Sequence, residues 1–226
     1  MKINKFKRVV LLFVLVFITT TGSLLAQELY DKVTENDIEA VNKLLAAGAD
    51  INEQVEVGGA GNMTPLLAAC FYRYEDMAKL LISKGADVNV KTSRGETPLM
   101  GACFFSEEVA MLLVSKGADI NPIQGTGPFT YCISGIVQGA VSTDLAEFFL
   151  SKGANVDEAP TSGEIAGYTS LILAASSEQY DLVKFLIDKG ADVNAKANDG
   201  STALSIASKG NDAAMVKLLK DLGAKE

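Results

Sequence analysis

Apolar residues recur at helical spacing in short segments that each end in a glycine. In the segment from Asp76 to Leu81, and again from Asp181 to Leu186, an acidic residue precedes apolar residues spaced three and four apart. A lysine and then a glycine follow each segment. The pattern predicts an amphipathic helix whose C-terminal turn is closed by a glycine in the left-handed conformation.

These glycines recur along the chain with a nearly constant period. Successive glycines are 37, 32, 36, 37 and 33 residues apart, at Gly48, Gly85, Gly117, Gly153, Gly190 and Gly223. A period of this length is typical of repeat proteins, in which neighbouring units bury each other's apolar faces. We expect six repeats, at residues 29–61, 62–94, 95–126, 127–166, 167–199 and 200–226, with polar or truncated units at the two ends.

A second, shorter helix is predicted before each of the helices that end in glycine. Four of these helices start at a threonine, namely Thr64, Thr97, Thr169 and Thr202, and two of the threonines are followed by proline. A threonine hydroxyl can cap the first N–H groups of a helix, and proline suits the first helical position. Each unit is therefore a capped helix, a turn, a second helix and an extended arm.

The order T-P-L-x-x-A, then a helix, then G-A-D-V-N resembles the ankyrin repeat. The resemblance implies an all-α fold, a solenoid of helix-turn-helix units with β-hairpin-like arms. It also implies a concave groove, lined by the first helices and the arms, that binds a partner protein without catalysis. The usual histidine of the family is replaced by Leu67, Met100, Ile172 and Ser205, which predicts weaker hydrogen bonding between repeats. In the irregular fourth unit, extra residues are expected between the helices at 137–142.

Composition narrows the possible chemistry. The chain has 226 residues, no histidine and a formal net charge of -8. The missing histidine excludes Ser-His and Cys-His nucleophiles and histidine metal ligands, and an acidic chain is unsuited to binding nucleic acid. We expect no cofactor, no metal and no small-molecule substrate. An Asp and Asn ladder in the arms, such as Asp87 and Asn89, is interpreted as backbone capping rather than as calcium ligands.

Three cysteines keep a minor enzymatic interpretation open. Cys70 and Cys103 occupy equivalent positions in adjacent repeats, where packed helices lie about 8–10 Å apart, too far for a disulfide. We expect them to be small buried side chains. Cys132 lies in the irregular repeat and is the residue through which catalysis would remain conceivable.

The first 26 residues have the layout of a secretory signal peptide. Lys2, Lys5, Lys7 and Arg8 precede the apolar run from Val9 to Ile18, and small residues lead to Ala26. Cleavage after Ala26 predicts a protein exported by a bacterium, periplasmic or secreted, with a net charge of -12. If the segment stays uncleaved, the protein is instead an envelope scaffold tethered to the membrane.

Aromatic residues at the ends of two first helices form the candidate binding site. Phe71 and Tyr72 follow Cys70, and Phe104 and Phe105 follow Cys103. By the resemblance these positions face the groove, and exposed aromatic clusters mark interaction sites. The rim is predicted to contain Arg94, Glu96 and Tyr168. One alternative is that the shorter turn of the third repeat folds Phe104 or Phe105 into the core. The partner is an unknown protein, and a basic one suits the acidic chain.

Overall fold

The computed structural model describes residues 24–58, 61–121, 127–161, 163 and 165–225. Most of the predicted signal peptide, residues 1–23, lies outside the described residues. The chain divides after Glu96 into two compact units, which we describe one at a time.

The first unit contains four helices and one hairpin in its described part. Helix α1 covers residues 24–34, and the others are α2 (Ile38–Ala46), β1 (Val55–Val57), β2 (Gly61–Met63), α3 (Pro65–Phe71) and α4 (Glu75–Ser83). The strands β1 and β2 pair antiparallel, with Val55 opposite Met63. Leu29, Val41, Leu67 and Leu81 are fully buried in the core of this unit.

The second unit contains eight helices in its described part. They are α5 (Pro98–Ala102), α6 (Glu107–Ser115), α7 (Pro128–Val137), α8 (Thr143–Ser151), α9 (Ser170–Ser176), α10 (Tyr180–Asp188), α11 (Ala203–Lys209) and α12 (Ala213–Asp221). The two helices of each repeat pack together, and the first helices α5, α7, α9 and α11 pack side by side in that order. The core runs between the two rows of helices and includes Phe129, Phe149 and Leu171.

The predicted helix signals form as expected. The hydroxyl oxygens of Thr64, Thr97, Thr169 and Thr202 each accept a hydrogen bond from the backbone N–H three residues later, at 3.1–3.4 Å. The six periodic glycines all have φ between 88° and 99°, the left-handed region that closes a helix without a Cβ penalty. The all-α fold class is confirmed.

The Asp and Asn ladder has the structural role predicted for it. In each arm the first side chain accepts from a backbone N–H two residues later, as Asp87 does from Asn89 at 2.9 Å. The second side chain reaches the next arm, where Asn52 accepts from the Asp87 N–H at 2.8 Å. In the second unit Asn121 accepts from the Asn155 N–H at 3.1 Å. These bonds link neighbouring arms in a chain that lacks the family's histidine.

The fourth repeat meets in part the expectation that its extra residues lie between the helices, because residues 138–142 separate α7 from α8, whereas three residues separate α9 from α10. Helix α7 has 10 residues, whereas α3, α9 and α11 each have 7. Most of the inserted residues therefore lengthen the first helix, and only the remainder enlarge the turn. The added residues include Ile136 and Val137, whose side chains are half-buried, so continuing the helix buries additional apolar surface.

All three cysteines are free and buried. Burial raises the pKa of the Cys70 and Cys103 thiols well above the ordinary value. Cys103 Sγ donates to the carbonyl oxygen of Pro128 at 3.7 Å, which joins α5 to the start of α7. The predicted packing role is thus confirmed for Cys70 and Cys103.

Within the described ranges, no helix has the length and apolar character needed to cross a bilayer.

Candidate interaction surface

The first pair of candidate residues lies where α3 ends in the first unit. Phe71 is the last residue of α3 and is half-buried, while Tyr72 follows it and is 48% exposed. Arg73 then takes a positive φ of 65°, which turns the chain into α4. The sharp turn leaves both rings at the helix end, so neither is covered completely.

Neighbouring tyrosines hold Tyr72 in place. The Tyr72 and Tyr74 rings lie 6.0 Å apart at an angle of 33°. The Tyr74 hydroxyl donates to the carbonyl oxygen of Thr34 at 3.1 Å, which ties this cluster to the end of α1. Burial and the neighbouring Tyr72 raise the pKa of Tyr30. Tyr72 is therefore an exposed ring that packs against Tyr74, which is itself hydrogen-bonded to the end of α1.

Arg94 and Glu96 lie in a tight turn at the tip of the arm that follows α4. Buried Thr92 organises this turn, because its hydroxyl oxygen accepts from the N–H groups of Arg94 and Glu96, both at 3.2 Å. The same hydroxyl donates to the Glu96 carboxylate at 3.1 Å. Arg94 is exposed and Glu96 is half-buried. The backbone of the tip is thus fixed, and one basic side chain extends from it.

In the second unit, Phe104 and Phe105 follow the short helix α5. Both rings are half-buried, so the alternative that one of them joins the core is wrong. Phe104 packs edge-on against Tyr131 of α7, with ring centroids 5.6 Å apart and an angle of 84°. Edge-to-face packing of this kind is favourable beyond simple burial. A half-buried aromatic pair of Phe104 and Tyr131 results, and the half-buried Phe105 follows it in the sequence.

Tyr168 precedes the cap of α9 and connects two arms of the second unit. Its hydroxyl donates to Asp199 Oδ2 at 3.3 Å. Asp199 also accepts from the Ser201 N–H at 2.8 Å and from the Ser201 hydroxyl at 2.9 Å. Hydrogen bonds from Ser201, then from Tyr168, lower the pKa of the Asp199 carboxyl. Thus Tyr168 is hydrogen-bonded to Asp199, whereas the Phe104 ring packs against Tyr131.

Tyr131 is a site residue that the repeat motifs of the sequence do not indicate. It stands three residues after Pro128, at the position that Ala68 and Gly101 hold in the two preceding repeats. An alignment from the helix-starting prolines would have shown this change from a small to an aromatic residue. Its contact with Phe104 could not be read from the sequence, because it depends on how α5 packs against α7.

Two features of the described residues bear on catalysis and metal binding. Cys132, which kept catalysis conceivable, is completely buried, whereas a reactive thiol must be accessible. In the part of the chain that the structure describes, no three side chains of the metal-ligating types gather into a group. The arrangement is suited to contact with another surface.

Comparison with known proteins points to the same family as the resemblance. The family model described as Ankyrin repeats (3 copies) matches residues 29–124 and 135–226. An ankyrin repeat protein of fowlpox virus (strain NVSL) is 29% identical over 187 residues, which is 82% of this chain and 52% of that protein. The B-cell lymphoma 3 protein homolog of Mus musculus is 27% identical over 202 residues, 87% of this chain and 44% of that protein.

A shorter match reaches a higher identity. Protein phosphatase 1 regulatory subunit 27 of Homo sapiens is 39% identical over 70 residues, which is 31% of this chain and 43% of that protein. The chain thus spans about half the length, or less, of these curated relatives.

Proposed function

Because the chain belongs to the ankyrin-repeat family, whose members are generally non-catalytic protein-interaction modules, we propose that it is an exported protein that binds a partner protein. The contacts are made by the helix-end aromatics, by which we mean Phe71, Tyr72, Phe104 and Phe105, and by the arm tips. The observation that carries the proposal is that two adjacent repeats end their first helices in aromatic pairs that the core leaves partly accessible.

The helix-end aromatics have the properties of binding anchors. Aromatic side chains contribute a large apolar area at a low cost in conformational entropy, and they are frequent among the residues that dominate binding energy. Each pair is supported from the side, Tyr72 by Tyr74 and Phe104 by Tyr131. A partner would therefore meet rings that are already held in position.

The polar rim and the charge of the chain indicate the chemistry of the partner. Arg94, Glu96 and Tyr168 lie at or beside arm tips whose backbone is fixed by Thr92 and Asp199. The formal charge is -8 for the whole chain, and more negative once the basic N-terminal segment is removed. A basic protein partner is favoured, because complementary charge accelerates association.

One relative supports the class of function without naming the partner. It is described as a regulatory subunit of a phosphatase, so a chain similar to part of this one is associated with another protein. Export and a periplasmic or secreted location rest on the signal-peptide layout of residues 1–26.

The binding proposal is tested by removing one ring from each pair, in the variant Phe71→Ala with Phe104→Ala. We expect capture of the crosslinked partner to fall at least about tenfold, because loss of an anchor costs about 2 kcal/mol or more. The matched control is Phe148→Ala with Phe185→Ala, which removes two half-buried rings from the second helices α8 and α10. Circular dichroism checks that both variants keep their helices.

Two results would contradict this site. Undiminished capture by the Phe71 and Phe104 variant would show that the helix-end aromatics do not contact the partner. An equal loss in the Phe148 and Phe185 control would show that ring removal acts through the fold instead.

Export is tested by the mass of the native protein from its own cells. We expect a chain that starts at Gln27 and is recovered in the soluble exported fraction. Leu29 and Val33, which are fully buried, lie after the predicted cleavage site and stay in place. An intact Met1 in the membrane fraction would favour the tethered envelope scaffold.

A further inference from the structure

The fifth and sixth repeats together form a concavity of about 730 Å³ in the second unit, and lysines line it. It is formed by the arm before α11, by α11 itself and by the end of α12. Four lysines and no acidic residue line it, and we call these lysines the lysine face, defined as Lys196, Lys209, Lys220 and Lys225.

The backbone around the lysine face is held by hydrogen bonds. Asn194 Oδ1 accepts from the Lys225 N–H at 2.8 Å, which fixes the segment after α12 against the preceding arm. Ser205 Oγ accepts from the Thr202 N–H at 2.9 Å and fixes the start of α11. The arm that carries Lys196 and the segment that carries Lys225 are thereby joined.

The lysine face is opposite in charge to the rest of its unit. Apart from the four lysines of the face, residues 97–226 include 16 acidic and 5 basic side chains. None of Lys196, Lys209 and Lys225 forms an ion pair with a residue that the structure describes. The charge of Lys209 is the last contribution to the lowered pKa of the Asp199 carboxyl, whose oxygens already accept from Ser201 and Tyr168.

Helix dipoles account for only part of this arrangement. Lys209 and Lys220 lie in the last turns of α11 and α12, where a cation is favourable whatever the function. Lys196 lies in an arm and Lys225 after the last helix, so neither has that reason to be basic. The two converge on the same concavity because the Asn194 bond holds their segments together.

We propose that the lysine face binds an acidic segment of a partner polypeptide. Four lysines around one concavity match several carboxylates better than a single small anion. A long polyanion such as a nucleic acid, or an anionic membrane, would also meet the acidic residues of the neighbouring repeats, because charges act over about 10 Å at 0.1 M salt. A short acidic segment fits within the concavity and avoids them. This surface is separate from the helix-end aromatics and goes beyond their proposed function.

The test uses the full chain and fluorescence anisotropy of a labelled peptide of about eight glutamates, about 25 Å long when extended. At low salt we expect saturable binding, and the variant Lys196→Gln with Lys209→Gln and Lys225→Gln should bind about tenfold more weakly. Lys225→Gln alone, which lies outside every helix, should weaken binding about twofold. The matched control is Lys84→Gln with Lys91→Gln and Lys116→Gln, which removes the same charge from exposed lysines elsewhere and should bind like the unchanged protein.

Each other outcome would overturn the proposal. Equal losses in both triple variants would mean that binding depends on net charge alone. Tighter binding of an oligothymidylate of similar length, of inorganic phosphate or of phosphatidylglycerol vesicles would assign the lysine face to another ligand. Self-association that the first triple variant abolishes would make the lysine face a contact between copies of this chain. The variant Phe71→Ala with Phe104→Ala should leave peptide binding unchanged, so each of the two proposals can fail without the other.

Discussion

The fourth and fifth repeats begin their first helices in different ways. In the fifth, Thr169 caps α9 by accepting from the Ile172 N–H at 3.4 Å. In the fourth, Gly127 stands at the cap of α7 and has no side chain to accept with. The carboxylate of Glu158, from the arm that follows α8, lies beside this glycine and accepts from the Thr130 hydroxyl in the first turn of α7 at 2.9 Å. A Cβ at position 127 would overlap that carboxylate, so a side chain there would force Glu158 to move.

The two repeats also differ in how closely their first helices approach the preceding repeat. Helix α7 passes so near the end of α5 that a Cβ at Gly135 would overlap the Cys103 carbonyl oxygen. Helix α9 has no glycine within its seven residues. The regular fifth repeat therefore supplies its own cap, while the irregular fourth repeat is held by contacts from its neighbours.

The free energy of unfolding should fall most when a side chain is added at Gly135, where the helices are too close to accommodate it. Gly135→Val should lower the free energy of unfolding by about 3 kcal/mol, because the added side chain meets a backbone oxygen that no rotamer change can move. Urea unfolding followed by circular dichroism measures the loss. The Gly135→Val substitution should also shift Phe104 relative to Tyr131, because Phe104 directly follows Cys103.

The matched control for Gly135 is Gly210→Ala at the end of α11. Gly210 has an ordinary φ of -74°, and an added Cβ would come no nearer than 3.5 Å to another atom. The control should be unchanged or more stable by about 0.5 kcal/mol. If Gly135→Val unfolds at the same urea concentration as the unchanged protein, α7 does not pack as closely as described.

The regular repeats could be predicted from sequence because their signals are local. Thr97 or Thr169 marks a helix start, and a glycine such as Gly190 marks a helix end, within the same repeat. The local half of the Asp and Asn ladder follows from the same reasoning, since the first side chain of each arm accepts from the backbone N–H two residues later. Local chemistry repeated at a constant period leaves few alternatives.

The irregular repeat could not be predicted in the same way. The position of Glu158 depends on its contact with Gly127, 31 residues earlier in the sequence, and no local motif encodes that distance. The support of Phe104 by Tyr131 likewise requires the packing of α5 against α7. For the candidate site, sequence indicated which rings to consider, but the accessibility of Phe104 and Phe105 emerged only from the fold.

The smallest expected effect concerns the charge of Glu158. Its Oε1 accepts from the Thr130 hydroxyl at 2.9 Å, while its Oε2 is buried and accepts no hydrogen bond from the described residues. Burial raises the pKa of this carboxyl, although hydrogen bonding to Thr130 and the nearby backbone N–H groups of Gly127 and Phe129 oppose the rise. The folded protein therefore holds the Glu158 proton more tightly than the unfolded chain does.

A raised pKa in the fold means that the protonated side chain stabilises the protein at acid pH and that this stability is lost as the pH rises through the folded value. Glu158→Gln cannot ionise, so its stability relative to the unchanged protein should increase from about pH 4 to about pH 7. The regular fifth repeat supplies the control, because Thr169→Ala should lower the free energy of unfolding by about 1 kcal/mol at every pH. A difference between Glu158→Gln and the unchanged protein that stays constant with pH would show that Glu158 is solvated like an ordinary surface carboxylate. In that case the Glu158 carboxylate would not be buried against the start of α7.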